Sequence, residues 1–397
     1  MKIVYYSPHP NLNLSALSGS GTHMREIISG FRKQGHEVVT CIMGGEELVK
    51  TNNVSQPKTF KSRVKKMVPT VVWQTIKDFQ LLKFDKHAFI TLEEIVTKEK
   101  PDLIYERSSY LMNSGIKVSK KHGLKHILEV NAPFIEEKYS MEGSSLYTSK
   151  AKNFEKFKNN STNRIITVSS ALKTHLVNEY QCDPDKIIMI PNAVTLSKVK
   201  VDKLQSERLI KELDLSPDHI VLGFVGSIFP YHGVDRLIEG FEVLQNKLET
   251  MKLFLLIVGD GETLPELQSY VLNNRIKNIK FTGNVAHEDV YQYIDLMDIT
   301  IMAKSNWYGS PVKIFEYGIM KKPIIAPDTI PVRDVIIDAV DGVIVKDDIT
   351  DFTSKLENLI KNKNYRDELA NSFYRKVQAE YIWSKVAVKT LDKIEVL

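Results

Sequence analysis

Short apolar runs alternate with amphipathic stretches along almost the whole chain. Lys2–Tyr6 reads as a buried strand, and a Pro/Asn/Ser/Gly-rich loop follows to Gly21. Thr22–Gln34 then reads as a helix with Ile27, Ile28 and Phe31 on one face, stopped by Gly35. Further strands are predicted at Glu37–Met43, Leu103–Tyr105, His126–Val130, Arg164–Val168 and Lys186–Ile190, with a helix at Ser170–Tyr180. A polar, Lys-rich stretch at Ser197–Ser206 reads as a linker. The same grammar then begins again. Ile220–Val225 is a strand, Asp235–Lys247 a helix with Leu237, Ile238, Phe241 and Leu244 inward, and Leu253–Val258 a strand running into Gly259-Asp260-Gly261-Glu262. Lys280–Thr282, Ile299–Met302 and Pro323–Ala326 complete the strands. Strand–helix alternation of this kind predicts parallel α/β architecture. The expected fold class is α/β, with two Rossmann-like domains facing each other across a cleft, where ligands of such folds bind. The expected domains are residues 1–197 and residues 198–380.

Bulk properties narrow the class. At 397 residues, 43% hydrophobic and 26% charged, the chain has the composition of a globular protein too long for one ordinary core. Cys41 and Cys182 alone cannot build a disulfide framework, which fits a reducing cytoplasm. The first residues form too short an apolar run for a signal peptide. No stretch approaches the roughly 20 apolar residues of a membrane span. A net charge of +5 gives no argument for a nucleic-acid partner. That charge is unevenly placed: no acid occurs between Glu47 and Asp78, where Lys50, Lys58, Lys61, Arg63, Lys65, Lys66 and Lys77 interleave with Val64, Met67, Val68, Val71, Val72 and Trp73. The Lys50–Lys77 region reads either as a surface for peripheral contact with anionic membrane or as a solvated loop plus a helix packed inward.

The richest chemistry lies at Tyr308–Tyr317. Ser310 reads as an N-cap and Pro311 as the first helical residue, which places Lys313 in the first turn. A lysine there opposes the helix dipole by roughly 0.3–1 kcal/mol, and a bound phosphate reverses that sign. Glu316, one turn on, can accept from two vicinal hydroxyls such as those of a ribose. The pattern points to a nucleoside diphosphate, against the alternative of an ordinary capped helix with solvated side chains. The junction Gly226–Gly233 offers Ser227 and His232 to phosphate oxygens. Ser18–His23 is a glycine-rich helix start whose Gly21 can approach a phosphate or sugar, although Met24 and the long preceding loop break the dinucleotide fingerprint and argue against a dehydrogenase. Asp183-Pro184-Asp185 reads as a turn rather than a metal pair, and no cluster has metal-ligand spacing.

Together these segments resemble a known family. Gly19–Val39, Arg164–Leu172, Lys186–Val194, Gly226–Gly240, Val258–Glu262, Phe281–Val285 and Ser310–Pro327 resemble, in order and spacing, the GT-B glycosyltransferases of family 4. Tyr381-Ile382-Trp383-Ser384 is similar to the start of that family's final helix, which implies that a C-terminal helix 381–397 crosses back onto the first domain. The resemblance covers nearly the whole chain. It implies a retaining enzyme that moves a sugar from a nucleoside diphosphate sugar to an acceptor hydroxyl in polysaccharide, glycolipid or other glycoconjugate synthesis. It implies no tightly bound cofactor and no essential metal. The acceptor is expected to be a carbohydrate, a lipid-linked glycan or a small molecule. Glu316 resembles the second glutamate of the Glu-x7-Glu motif, and Tyr308 stands where the first would be. Ser227 and His232 stand where relatives carry the Arg and Lys of the diphosphate site. They resemble a subset with aromatic-His-Gly and Ser-Pro-x-Lys motifs, in which Lys313 supplies the charge. Asn131, or else Glu129, falls where relatives place an active-site histidine. The implied site is therefore Asn131, His232 and Lys313 for catalysis, and Gly21, Ser227, Gly259, Val285, Tyr308, Gly309, Ser310 and Glu316 for the donor. Two rivals stand beside this reading: a silent partner subunit, which the altered Tyr308, Ser227 and His232 motivate, and a nucleotide-sugar epimerase on the same fold.

Overall fold

A computed structural model of the protein describes residues 1–16, 18–47 and 69–395. Lys50 to Lys66 of the basic stretch lie outside the described residues. The chain forms two compact units, Met1–Ile190 with Val386–Leu397, and Pro191–Lys385. The division falls after Ile190 and Lys385 rather than after 197 and 380. Asn192 and Val194 belong with the second unit because they bond there, to Ser310 and to Tyr381.

The first unit holds a six-stranded parallel sheet. Its strands are β1 (Lys2–Ser7), β2 (Glu37–Ile42), β3 (Leu103–Arg107), β4 (Lys125–Val130), β5 (Arg164–Thr167) and β6 (Ile187–Met189), in the order β2-β1-β3-β4-β5-β6. The order reverses between β1 and β3, so the crevice beyond their carboxyl ends is the natural ligand position of the sheet. Ile3, Val4, Tyr5, Tyr6 and Ile104 are wholly buried, as expected of strands covered on both faces. The predicted helix after β1 runs Gly19–Lys33 and starts three residues early, because Ser18 Oγ accepts the Gly21 N–H at 3.2 Å. A 30-residue helix, Thr70–Glu99, covers one side of this sheet and was not legible in the apolar pattern. The Asp183 carboxylate accepts the Asp185 N–H at 2.9 Å, which is turn chemistry.

The second unit repeats the plan with β7 (His219–Val225), β8 (Lys252–Val258), β9 (Ile279–Phe281), β10 (Ile299–Ile301), β11 (Ile324–Pro327) and the unpredicted β12 (Val343–Val345). The order is β12-β11-β10-β7-β8-β9, all parallel, so its reversal lies between β7 and β10. The stretch expected as a linker holds a 3-10 turn, Leu196–Lys198, and the start of helix Lys203–Glu212, which Asp202 caps. No helix among the described residues is long and apolar enough to cross a membrane.

Candidate active site

In the second unit the glycine-rich loops after β7, β8 and β9 are laced by backbone bonds. Gly226 N–H donates to Val258 O at 2.9 Å, Gly259 N–H to Gly283 O at 3.1 Å and Ile228 N–H to Asp260 O at 2.9 Å. The loop after β10 joins them where Lys304 N–H donates to His232 O at 3.2 Å. These loops gather beyond the sheet's reversal point. Gly259 has φ +139° and its α-carbon faces the Gly226 carbonyl oxygen, leaving no room for a Cβ. Gly259→Ala is expected to cost the second unit about 2 kcal/mol or more, read by chemical denaturation.

Helix Val312–Ile319 enters this crevice. Ser310 is not its N-cap. The hydroxyl of Ser310 accepts the Asn192 N–H at 2.9 Å and its carbonyl accepts from Asn192 Nδ2 at 2.8 Å, while Pro311 occupies the cap position without a side-chain bond. The serine therefore fixes the loop to the residues after β6 instead of closing the helix. Lys313 does lie in the first turn. Its stem is partly exposed, but Nζ is withdrawn from water, has no hydrogen-bond partner among the described residues, and sits 4.1 Å from the centre of the Phe224 ring. A Cβ on Gly226 would lie 2.7 Å from that Nζ, so the glycine makes room for the ammonium beside the loop. Burial pushes the Lys313 ammonium down to about 8, against the attraction of Glu316. His232 is half-buried, 4.4 Å ring to ring from Tyr231, and is pushed down to about 4 by burial and then by the Lys313 charge. Glu316 is buried; burial pushes its carboxyl up, opposed by His287, Lys313 and Lys198. His287 Nε2 stands 4.0 Å from Glu316 Oε1.

The remaining expected donor residues divide. Ser227 is exposed on the loop beside Gly226. Tyr308 is partly buried with Trp307 edge-on at 5.3 Å, and Gly309 N–H donates to Asn306 Oδ1 at 2.6 Å. Val285 packs against the core of the second unit. Gly21 and Asn131 belong to the first unit. Gly21 is buried within its helix, and a Cβ there would collide with the Ala16 carbonyl, so close backbone packing accounts for the glycine.

Asn131 stands just beyond the carboxyl end of β4, in a cluster that the sequence did not disclose. Glu129, one of the last residues of β4, is buried and accepts from four side chains. Oε1 takes Arg107 Nη1 and Asn131 Nδ2, each at 2.6 Å; Oε2 takes the Tyr105 hydroxyl at 2.8 Å and His23 Nε2 at 3.1 Å. Burial alone would raise its carboxyl, but His23, Arg107 and Asn131 outweigh that and hold it well below the usual carboxylate range. The clue in the sequence was the charge of Glu106, Arg107 and Glu129 within otherwise apolar strand runs, since buried charges are normally paired. Among the described residues, no group of three His, Cys, Asp or Glu is placed to hold a metal ion.

Comparison with known proteins gives this geometry a context. Residues 17–198 match the family Glycosyltransferase Family 4, and residues 205–376 match Glycosyl transferases group 1. The chain belongs to the group 1 glycosyltransferases of family 4. This glycosyltransferase is 23% identical over 395 residues, 94% of each chain, to the capsular polysaccharide biosynthesis glycosyltransferase CapM of Staphylococcus aureus. It is 26% identical to UDP-Gal:alpha-D-GlcNAc-diphosphoundecaprenol alpha-1,3-galactosyltransferase of Escherichia coli, over 77% of this chain and 79% of that one. A 26% match to an uncharacterized glycosyltransferase of Methanocaldococcus jannaschii spans 57% of that relative's length. Among solved structures, a glycosyltransferase from Rickettsia africae superposes with a TM-score of 0.71 at 16% identity, covering 98% of this chain and 97% of that one. Anabaena HepE, solved in complex with UDP and glucose, gives 0.71 at 14% identity over the full length of both chains. The glycosyltransferase thus has the two-domain GT-B fold.

Proposed function

We propose that the protein is a retaining glycosyltransferase that moves a sugar from a nucleoside diphosphate sugar to an acceptor hydroxyl. The single observation that carries this reading is Lys313: a cation withdrawn from water, without a hydrogen-bond partner among the described residues, at the glycine loops beyond the sheet reversal. A buried unpaired cation is costly unless an anion completes it. A leaving diphosphate is such an anion, and the Gly226 loop and the start of helix Val312–Ile319 bring backbone N–H groups to the same region. Lys313 also answers the loss of Arg and Lys at the positions of Ser227 and His232, since it sits beside Gly226 and its charge reaches His232. This favours an active enzyme over a silent subunit.

In the proposed reaction the ribose hydroxyls donate to Glu316 while the diphosphate meets Lys313. The bond from the anomeric carbon to the diphosphate oxygen breaks, and the leaving group takes the developing charge, which preorganised donors stabilise. The acceptor oxygen bonds to the anomeric carbon on the same face, and its proton passes to a leaving phosphate oxygen. The configuration is retained. His232, neutral around pH 7, can donate or accept one hydrogen bond beside the phosphates. Asn131 faces the acceptor. A relative named for UDP-galactose transfer to a diphosphoundecaprenol-linked sugar, and a fold neighbour solved with UDP, make UDP sugars the first donors and lipid-diphosphate glycans the first acceptors to try.

The test is calorimetric titration with UDP, GDP and dTDP, followed by incubation of UDP-galactose, UDP-glucose and UDP-N-acetylglucosamine with an N-acetylglucosaminyl diphospholipid. Binding of one diphosphate and an α-linked product by NMR are expected. A β-linked product overturns retention, and a donor altered without any acceptor makes the protein an epimerase. No nucleotide binding sinks the reading. Glu316→Ala is expected to weaken binding of that diphosphate about 10- to 100-fold, the worth of one or two hydrogen bonds to a charged group.

A further inference from the structure

The Glu129 cluster has a directional consequence. An ionised carboxylate only accepts hydrogen bonds, so the side chain that meets Glu129 Oε1 at residue 131 must offer its NH2 group. The amide orientation is therefore fixed by chemistry and not by the placement of atoms alone. With Nδ2 turned inward at 2.6 Å, Oδ1 of the partly exposed Asn131 is turned the other way and takes no hydrogen bond among the described residues. The anchor is rigid: Tyr105 and Arg107 come from β3, His23 from helix Gly19–Lys33, and all four donors converge on one buried side chain. Arg107 and Asn131 share the same oxygen, so the guanidinium also flanks the amide.

We propose that Glu129 is a positioning residue that locks the Asn131 amide so that its carbonyl oxygen receives a hydroxyl of the acceptor substrate. The inference rests on the glycosyl-transfer reading and assigns polarity to its acceptor side. The site recognises a hydrogen-bond donor, a sugar or lipid hydroxyl, and discriminates against an acceptor-only group such as an ether at that position.

The polarity can be reversed and then restored. Asn131→Asp sets two carboxylates on one site, which expels the new side chain and removes the outward oxygen. Adding Glu129→Gln supplies an NH2 to the aspartate. The introduced amide keeps its carbonyl for Tyr105 and His23, Arg107 retains a carboxylate at residue 131, and one aspartate oxygen again points outward. Transfer from UDP-galactose to the N-acetylglucosaminyl diphospholipid is measured for wild type, Asn131→Asp, Asn131→Leu and the double variant, alongside UDP affinity. Both single variants are expected to lose about tenfold or more in kcat/KM for the acceptor, with UDP affinity within about twofold. The double variant is expected to regain most of the loss of Asn131→Asp. Wild-type rates in Asn131→Leu, or no rescue in the double variant, overturn the proposal. If wild type itself does not transfer between this pair, the glycosyl-transfer reading has failed for these substrates, and a separate readout decides the orientation. Exchange of the Asn131 side-chain amide protons, followed by NMR, is expected to be slow in wild type and fast in Glu129→Met. Equal exchange overturns the orientation whatever the substrates.

Discussion

Lys313→Met is expected to lower kcat/KM by about 100- to 1,000-fold, the usual loss when one preorganised donor to a developing anion is removed. Methionine keeps the length and packing of the stem over Phe224 while deleting the charge. Diphosphate affinity is expected to fall less than the rate, because charge on the leaving group is greatest in the transition state. The folded protein should be no less stable than wild type. Lys313 has a lowered value in the native state, so its burial opposes folding in full below about pH 8 and fades as pH rises toward the ordinary lysine value. Removing it relieves that cost, the trade expected where a strained charge serves function. Anion binding reverses the sign: the bound phosphate favours the ammonium, so affinity is highest below about pH 8 and declines above it. Calorimetry near pH 8 in buffers of different ionisation enthalpy should show proton uptake on binding in wild type and less in the variant. A variant with wild-type rates and the same proton uptake removes Lys313 from the site.

The strands were legible because parallel strands buried on both faces are nearly continuous apolar runs bounded by polar turns. Ile3–Tyr6, Ile220–Val225 and Leu253–Val258 have that form. Helix Thr70–Glu99 was not, for a physical reason. The first three of its inward positions are Gln74, Asp78 and Asp85, which an apolar template reads as solvent-facing. They are buried because distant groups satisfy them. Asp78 takes the Tyr110 hydroxyl at 3.0 Å and the Ser145 hydroxyl, and Asp85 takes the N–H groups of Asn113 and Ser114 at 3.0 and 2.9 Å. Asp85 thereby caps the helix that begins at Ser114, a role no local sequence rule assigns to it.

The candidate site divides along the same line. Lys313 and Glu316 lie one turn apart, so local spacing was enough to pair them. Ser310 was misread because its partner, Asn192, is remote in sequence, and the local capping rule had no competitor in view. At Gly21 local reasoning is ambiguous, because a glycine in a loop-to-helix junction carries the same signature whether it admits a phosphate or, like the Ala16 carbonyl here, a neighbouring backbone group. The Glu129 cluster needed His23 from the first helix and Tyr105 and Arg107 from β3 to meet at the end of β4, and only the strand order β1-β3-β4 brings them together.

That cluster also governs the stability of the first unit. Glu129→Ala is expected to destabilise it by about 3–5 kcal/mol, because removing one partner of a buried pair strands the other charge. Arg107 and His23 would keep their burial and lose the carboxylate. Glu129→Gln should cost less, since its carbonyl can face Arg107 and Asn131 while Tyr105 and His23 turn to accept from the amide. The pH dependence has a definite sign. A carboxyl held below its unfolded value stabilises the native state fully above the ordinary carboxylate range, and loses that contribution as pH falls through it toward the native value. Wild type should therefore lose stability in the first unit on acidification below about pH 4.5, and Glu129→Ala should show a flatter profile from a lower starting level. Because the chain has two units, a single unfolding midpoint would mix them. Hydrogen exchange at the amides of β3 and β4, compared with those of β7 and β8, separates the two. Faster exchange confined to the first unit at neutral pH, with UDP affinity unchanged, is the expected result. Uniform exchange across both units, or no change in either, would mean that the four donors find equivalent partners without Glu129 and that the cluster does not hold the strand ends in place.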